Sequence, residues 1–160
     1  WVRLCPDAKV YVPRIWETFM THFSFEASFE LIPDQGMALP LGTSADLQLV
    51  PAHYLHSSGN YSVYDPKAKI LFTGDIGAAL LPPGHVEVFV SDFDEHIKLM
   101  DGFHRRWMAS DKARDRWVER VRHLDIDMIC PQHGSIMSGE NVRRFLEWFS
   151  AIEVGSALRV

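Results

Sequence analysis

The run Lys69-Ile-Leu-Phe-Thr-Gly-Asp-Ile-Gly77 reads as a β-prone strand that stops at an aspartate held between two glycines. Glycine allows unusual backbone angles and close approach, so Asp75 is aimed from a strand end toward whatever the loop encloses. Just upstream, Tyr61-Ser-Val-Tyr64 is a second β-prone run, and Asp65-Pro-Lys-Ala68 between the two presets a turn, which predicts a hairpin. Before it, Leu47-Gln-Leu-Val-Pro-Ala52 alternates like a strand and delivers the chain into the turn-rich loop His53-Tyr-Leu-His-Ser-Ser-Gly-Asn60. Downstream, Asp125-Ile-Asp-Met-Ile-Cys130 predicts a short buried strand ended by Pro131, with His133-Gly134 on the loop beyond.

Helical periodicity fills the gaps. From Asp94 to Leu124, Ile97, Met100, Phe103 and Trp107 form one apolar stripe and Trp117, Val121 and Leu124 another, with a restart at Ser110-Asp111. A last helix, capped by Ser138, presents Val142, Phe145, Leu146, Phe149 and Ile152 inward. Near the start, Lys9-Val-Tyr-Val12 predicts a strand and Pro13 to Phe23 an aromatic helix. Several strands end in loops bearing His or Asp, which predicts a layered α/β fold with its chemistry along one sheet edge. No repeat or linker interrupts the chain, so residues 1–160 are expected to form a single domain.

Composition narrows the function. With 16 basic and 21 acidic residues the formal charge is −5, and no basic tract exceeds a pair of arginines, so the sequence offers no footprint for a nucleic-acid backbone. The most apolar stretch, Ile76 to Val90, is broken by Pro82, Pro83, His85 and Glu87 and predicts no membrane span. Cys5 and Cys130 form no CxxC pattern, which argues against a disulfide framework or a thiolate zinc site and for a reducing, cytoplasmic setting. No leader peptide is readable, and the start without Met suggests that the chain begins inside a longer polypeptide.

Eight histidines stand out, because imidazole serves metals, proton transfer and pH sensing. His22, His85, His96, His104 and His123 lie in charged or helical segments and read as structural. His56, Asp75 and His133 each follow a strand, 19 and 58 residues apart. That spacing excludes a local finger and suits a site assembled by tertiary structure. Two imidazoles and a carboxylate without thiolate favour iron, zinc or manganese, and a carboxylate is able to bridge two ions. The same residues also read as two turn histidines satisfied by carbonyls and an Asx-turn aspartate. His53, in the same loop as His56, reads first as a residue outside the site, with a supporting donor or a substitute ligand as the alternatives. Cys130, Tyr54, Tyr61 and Trp107 read as packing.

In order along the chain, Leu55-His-Ser-Ser-Gly-Asn60, Ile70 to Gly77 and Ile129-Cys-Pro-Gln-His-Gly134 resemble the later metal motifs of the metallo-β-lactamase superfamily. Within it they are most similar to the oxygen-binding diiron proteins and to the lactamase-like half of flavodiiron proteins. Phe103-His-Arg-Arg-Trp-Met-Ala-Ser110 is similar to the same branch. The resemblance implies an αββα sandwich with His56 as a terminal ligand of one metal, Asp75 as the carboxylate bridging both, and His133 as a terminal ligand of the other. The family's first motif, H-x-E-x-D-H or H-x-H-x-D-H, should precede Cys5-Pro-Asp-Ala-Lys-Val10 and is not among these residues, so an N-terminally truncated form of the fold is expected.

The implied activity is binding or reduction of O2 or NO at a two-iron centre, with an external electron donor and no fused flavin domain. A dinuclear zinc hydrolase of the same superfamily is the alternative, and a metal-free, non-catalytic remnant is a third reading. Sheet edges left uncovered by the missing strands predict a homodimer.

Overall fold

The computed structural model describes residues 3–20, 22, 29–42 and 46–158. In chain order its elements are β1 (Val10–Pro13), α1 (Glu17–Met20), β2 (Phe29–Ile32), β3 (Met37–Leu39), β4 (Leu47–Pro51), β5 (Tyr61–Asp65), β6 (Ile70–Gly74), α2 (Phe93–Trp107), α3 (Asp111–Val121), β7 (Met128–Pro131), β8 (Met137–Ser138) and α4 (Glu140–Ala151). Strands β3 to β8 form one six-stranded sheet in sequence order, and β1 and β2 pair in parallel as a separate small sheet.

The hairpin expected around Pro66 lies inside the large sheet: β5 and β6 pair antiparallel with Tyr64 opposite Leu71. Its turn is held by Asp65 Oδ1, which accepts from the backbone N–H groups of Lys67 (2.9 Å) and Ala68 (3.0 Å), as an Asx turn does. Strand β4 is antiparallel to β5, so β4 and β6 run the same way. The chain then crosses through α2 and α3 and returns as β7, parallel to β6. The C-terminal ends of β4, β6 and β7 therefore open at one edge of the sheet, where α/β folds place ligands.

Alternation decides the two faces. Ser62, Tyr64, Leu71, Thr73 and Ile129 are buried against the helices. Trp117 of α3 donates its indole N–H to Ser62 Oγ at 2.9 Å, which fixes that helix on β5. Phe149 of α4 stacks on Phe145 and meets Trp117 edge-on, both at 5.7 Å. Each of these fully buried rings contributes about 1.5–3 kcal/mol. The opposite face carries the cross-strand row Leu49, Val63, Phe72 and Cys130, and Phe72 is 46% exposed.

Of the helix ends expected from sequence, the Ser110 restart is found and the Ser138 cap is not. Asp92 caps α2, accepting from Asp94 and Glu95 N–H, and Ser110 caps α3 through Ala113 N–H. Ser138 does not cap α4. It pairs with Met128 as part of β8, and the cap position falls to Gly139 at φ +57° with no side-chain cap bond. The aromatic helix expected from Pro13 to Phe23 is a 3₁₀ turn (Arg14–Trp16) followed by the single-turn α1; Thr21 and Phe23 lie outside the described residues. Bulky and β-branched residues lose rotamer freedom in a helix, and so short a segment adds little propagation to offset nucleation. Strands β2 and β3 are too short to carry a readable alternation.

Candidate metal centre

At the edge where β4, β6 and β7 end, the structure brings His56, Asp75 and His133 together. His56 Nε2 stands 3.0 Å from Asp75 Oδ2, and His133 Nε2 stands 3.6 Å from Asp75 Oδ1. The two imidazoles thus face different oxygens of one carboxylate. Their side chains are 34%, 26% and 63% exposed respectively, so the carboxylate is the most enclosed and His133 the most open. Among the described residues no three donors close around one point, as follows when a carboxylate directs its oxygens to separate partners.

Each side chain is set by its own loop. The His56 loop turns through Tyr54 at φ +67° and a cis Leu55–His56 peptide; Tyr54 N–H donates to Ser57 O at 2.7 Å, and the Asn60 amide donates to Leu55 O. The Asp75 turn is closed by Thr73 Oγ1 donating to Ile76 O, and by Gly77 N–H donating to His104 Nε2 at 2.8 Å. The His133 loop is tied to that turn by Gln132 N–H to Gly74 O (2.7 Å) and Ala79 N–H to His133 O (3.2 Å). Two glycines are required here: a Cβ on Gly77 (φ +96°) would lie 2.8 Å from Met137 Cε, and one on Gly134 (φ +106°) 2.9 Å from the backbone of Ala79.

Helix α2 forms the wall. Phe103 and Trp107 stack on each other at 6.1 Å and both meet the His56 ring edge-on, at 5.8 and 5.6 Å. His104 is fully buried, with Nδ1 donating to Met100 O at 2.8 Å, which leaves Nε2 as the acceptor for Gly77. Burial pushes its pKa down to about 4, against a smaller opposing effect of the Met100 carbonyl. His104 and Trp107, read from sequence as structural or packing residues, therefore shape the site. The signal for them was their place in the Phe103–Ser110 segment, since helix-to-loop contacts leave no spacing to read.

His53 lies elsewhere. Its ring nitrogens face Ser58 O and Asp34 O, each at 3.1 Å, and it ties the His56 loop to the segment before β3. Cys130 is half-buried in β7, and burial raises its thiol pKa. Tyr61 donates its hydroxyl to Pro33 O at 2.9 Å.

The sequence profile described as ODP family beta lactamase matches residues 1–134. The chain belongs to the ODP family. Among solved structures, this ODP-family chain is 41% identical, at a TM-score of 0.85, to one described as a peroxy diiron species of the chemotaxis sensor ODP, covering 95% of itself and 63% of that chain. It is 42% identical, at a TM-score of 0.87, to the apo state of the chemotaxis sensor ODP from T. denticola, covering 94% of itself and 62% of that chain. The rubredoxin oxygen:oxidoreductase from Desulfovibrio gigas shares the fold, with a TM-score of 0.79 at 16% identity over 93% of this chain and 38% of that one. No curated protein sequence matches it. The expected metallo-β-lactamase-like α/β fold, and kinship with the branch that includes flavodiiron proteins, are borne out, and the chain spans a little under two thirds of its ODP relatives.

Proposed function

We propose that His56, Asp75 and His133 are ligands of a two-iron centre that binds O2 or NO, Asp75 bridging the ions with one imidazole on each side. The observation that carries this reading is the Asp75 carboxylate, each oxygen of which faces a different imidazole. Two donors on one ion at about 2.0–2.2 Å stand roughly 3.0–3.5 Å apart; the 3.0 Å spacing at His56 lies in that range and the 3.6 Å spacing at His133 just beyond it. The ODP structure described as a peroxy diiron species supports iron and oxygen as the pair to test first.

Iron, when bound, would be held by His56, Asp75 and His133 and would supply the redox chemistry. The chain's own residues do the rest. Asp75 offers the anionic charge, and the bond from Gly77 to His104 fixes the turn that aims it. Phe103 and Trp107 hold the His56 ring by its edges and keep water off that side. An external donor of electrons is part of this reading. Two free thiols support a reducing, cytoplasmic setting, and no helix among the described residues is long and apolar enough to cross a membrane.

Metal analysis and optical spectroscopy of the full polypeptide that carries these residues test the proposal. Expected are two irons per chain, oxo-bridged absorption in air, and loss of at least tenfold in iron affinity with His56→Ala, Asp75→Asn or His133→Ala. A colourless protein with two zinc ions and hydrolytic activity would establish the hydrolase reading instead. Iron binding unchanged in all three variants would overturn the ligand assignment.

A further inference from the structure

Helix α3 and the loop that leads into His56 enclose a cleft of about 300 Å³, whose walls include Pro51, Tyr54, Lys112, Ala113, Arg116 and Arg120. His56, Asp75 and His133 take no part in it. Lys112, Arg116 and Arg120 are exposed and lie at successive i, i+4 positions, so they form one stripe along α3, each Cβ about 5–6 Å from the next. Arg120 Nη1 donates to Arg116 O at 3.3 Å, which folds its guanidinium back toward the preceding turn. Like charges at this spacing work against a helix, and nearby carboxylates do little to offset them. Asp111 and Asp115 are engaged by Arg114, at 2.7 and 2.8 Å, and no carboxylate lines the cleft. Glu119 meets Arg116 at 3.3 Å; among the described residues the Lys112 ammonium has no partner. Tyr54 supplies part of the other wall. It sits at φ +67°, a backbone region that is costly for a bulky side chain. Tyr54 N–H donates to Ser57 O (2.7 Å) and Ala109 N–H to Tyr54 O (3.1 Å), so the backbone is pinned on both sides. Tyr54 is nonetheless 50% exposed, and among the described residues its side chain meets neither a hydrogen-bond partner nor another ring.

We propose that this cleft binds a small organic phosphate that carries an aromatic ring, of mononucleotide size, with its ring on Tyr54 and its phosphate on Lys112, Arg116 and Arg120. Three cations on one wall favour a dianion over a single carboxylate, and arginine and lysine both bind phosphate. Their long side chains act on an anion through charge over several ångströms and need no preassembled geometry. Pro51, Tyr54 and Ala113 supply the apolar contact area that small-molecule pockets use, and the volume stands at the lower end of such pockets, roughly 300–1,000 Å³. Ring platform and charge lie on separate elements, the loop and α3, so the cleft distinguishes such a ligand from a bare anion and from a neutral ring.

The test is isothermal titration calorimetry on the full polypeptide with AMP, adenosine and inorganic phosphate in turn. One AMP per chain is expected, bound at least tenfold more tightly than either of the others. Lys112→Gln and Arg116→Gln, both at exposed positions, should each weaken AMP at least threefold and leave adenosine unchanged. Tyr54→Asn, asparagine being better tolerated at positive φ, should weaken AMP and adenosine and leave phosphate unchanged. Circular dichroism checks that each variant folds. No AMP bound at millimolar concentration would overturn the proposal, as would AMP binding unchanged in both α3 variants. Phosphate bound as tightly as AMP, and weakened equally by the α3 variants, would mean an ion-only site and overturn it too. None of these outcomes bears on the two-iron reading, which rests on His56, Asp75 and His133.

Discussion

His104 is where one side chain has the widest reach, because its ring connects the core of α2 to the turn that presents Asp75. Its folded pKa of about 4 lies below the ordinary 6.5, so between these values the unfolded chain binds more protons than the folded one. Stability from this group is therefore fully present above pH 6.5 and is lost as pH falls toward 4, by about 3 kcal/mol in all. Urea midpoints measured from pH 7.5 to 4 are expected to fall along this window. His104→Gln should flatten that slope and lower stability at pH 7 by about 1–3 kcal/mol. The structural, helical setting of His104 was legible in the sequence; its full burial and its bond to Gly77, 27 residues away, were not, because no local period connects a helix to a loop.

At the scale of elements, what the sequence states locally survives folding. The Asp65 turn, the Ser110 restart and the strand before His133 were readable because each is settled by a cap, a proline or an alternation within a few residues. The cap of α4 and the extent of α1 were not, because pairing of Ser138 with Met128 overrides a capping preference and a single turn has little periodicity. Asp92→Ala should cost about 1 kcal/mol by removing both cap bonds of α2. Gly77→Ala should cost more, about 1–3 kcal/mol, since a methyl group would crowd Met137 at a backbone angle that disfavours any side chain. Denaturant unfolding of the two variants checks the order.

For the molecule as a whole, ion binding and stability are linked. A ligand at a hundredfold excess over its Kd adds about 2.7 kcal/mol, which for a chain of this size raises Tm by about 5–10 °C. Ferrous iron added without oxygen is expected to produce such a shift in the full polypeptide, and Asp75→Asn to abolish it in scanning calorimetry. The convergence of the three donors was legible only through the resemblance of the ordered motifs: nothing in the 57 residues between Asp75 and His133 says that β7 returns beside β6.

The like-directed strands carry one further consequence. The β5–β6 hairpin forms from neighbours, but His133 meets Asp75 only after α2 and α3 have wrapped back across the sheet, and distant pairings are slow to close. Proximity of those two side chains is thus a certificate of finished topology, and a chain stalled midway leaves the carboxylate and the second imidazole apart.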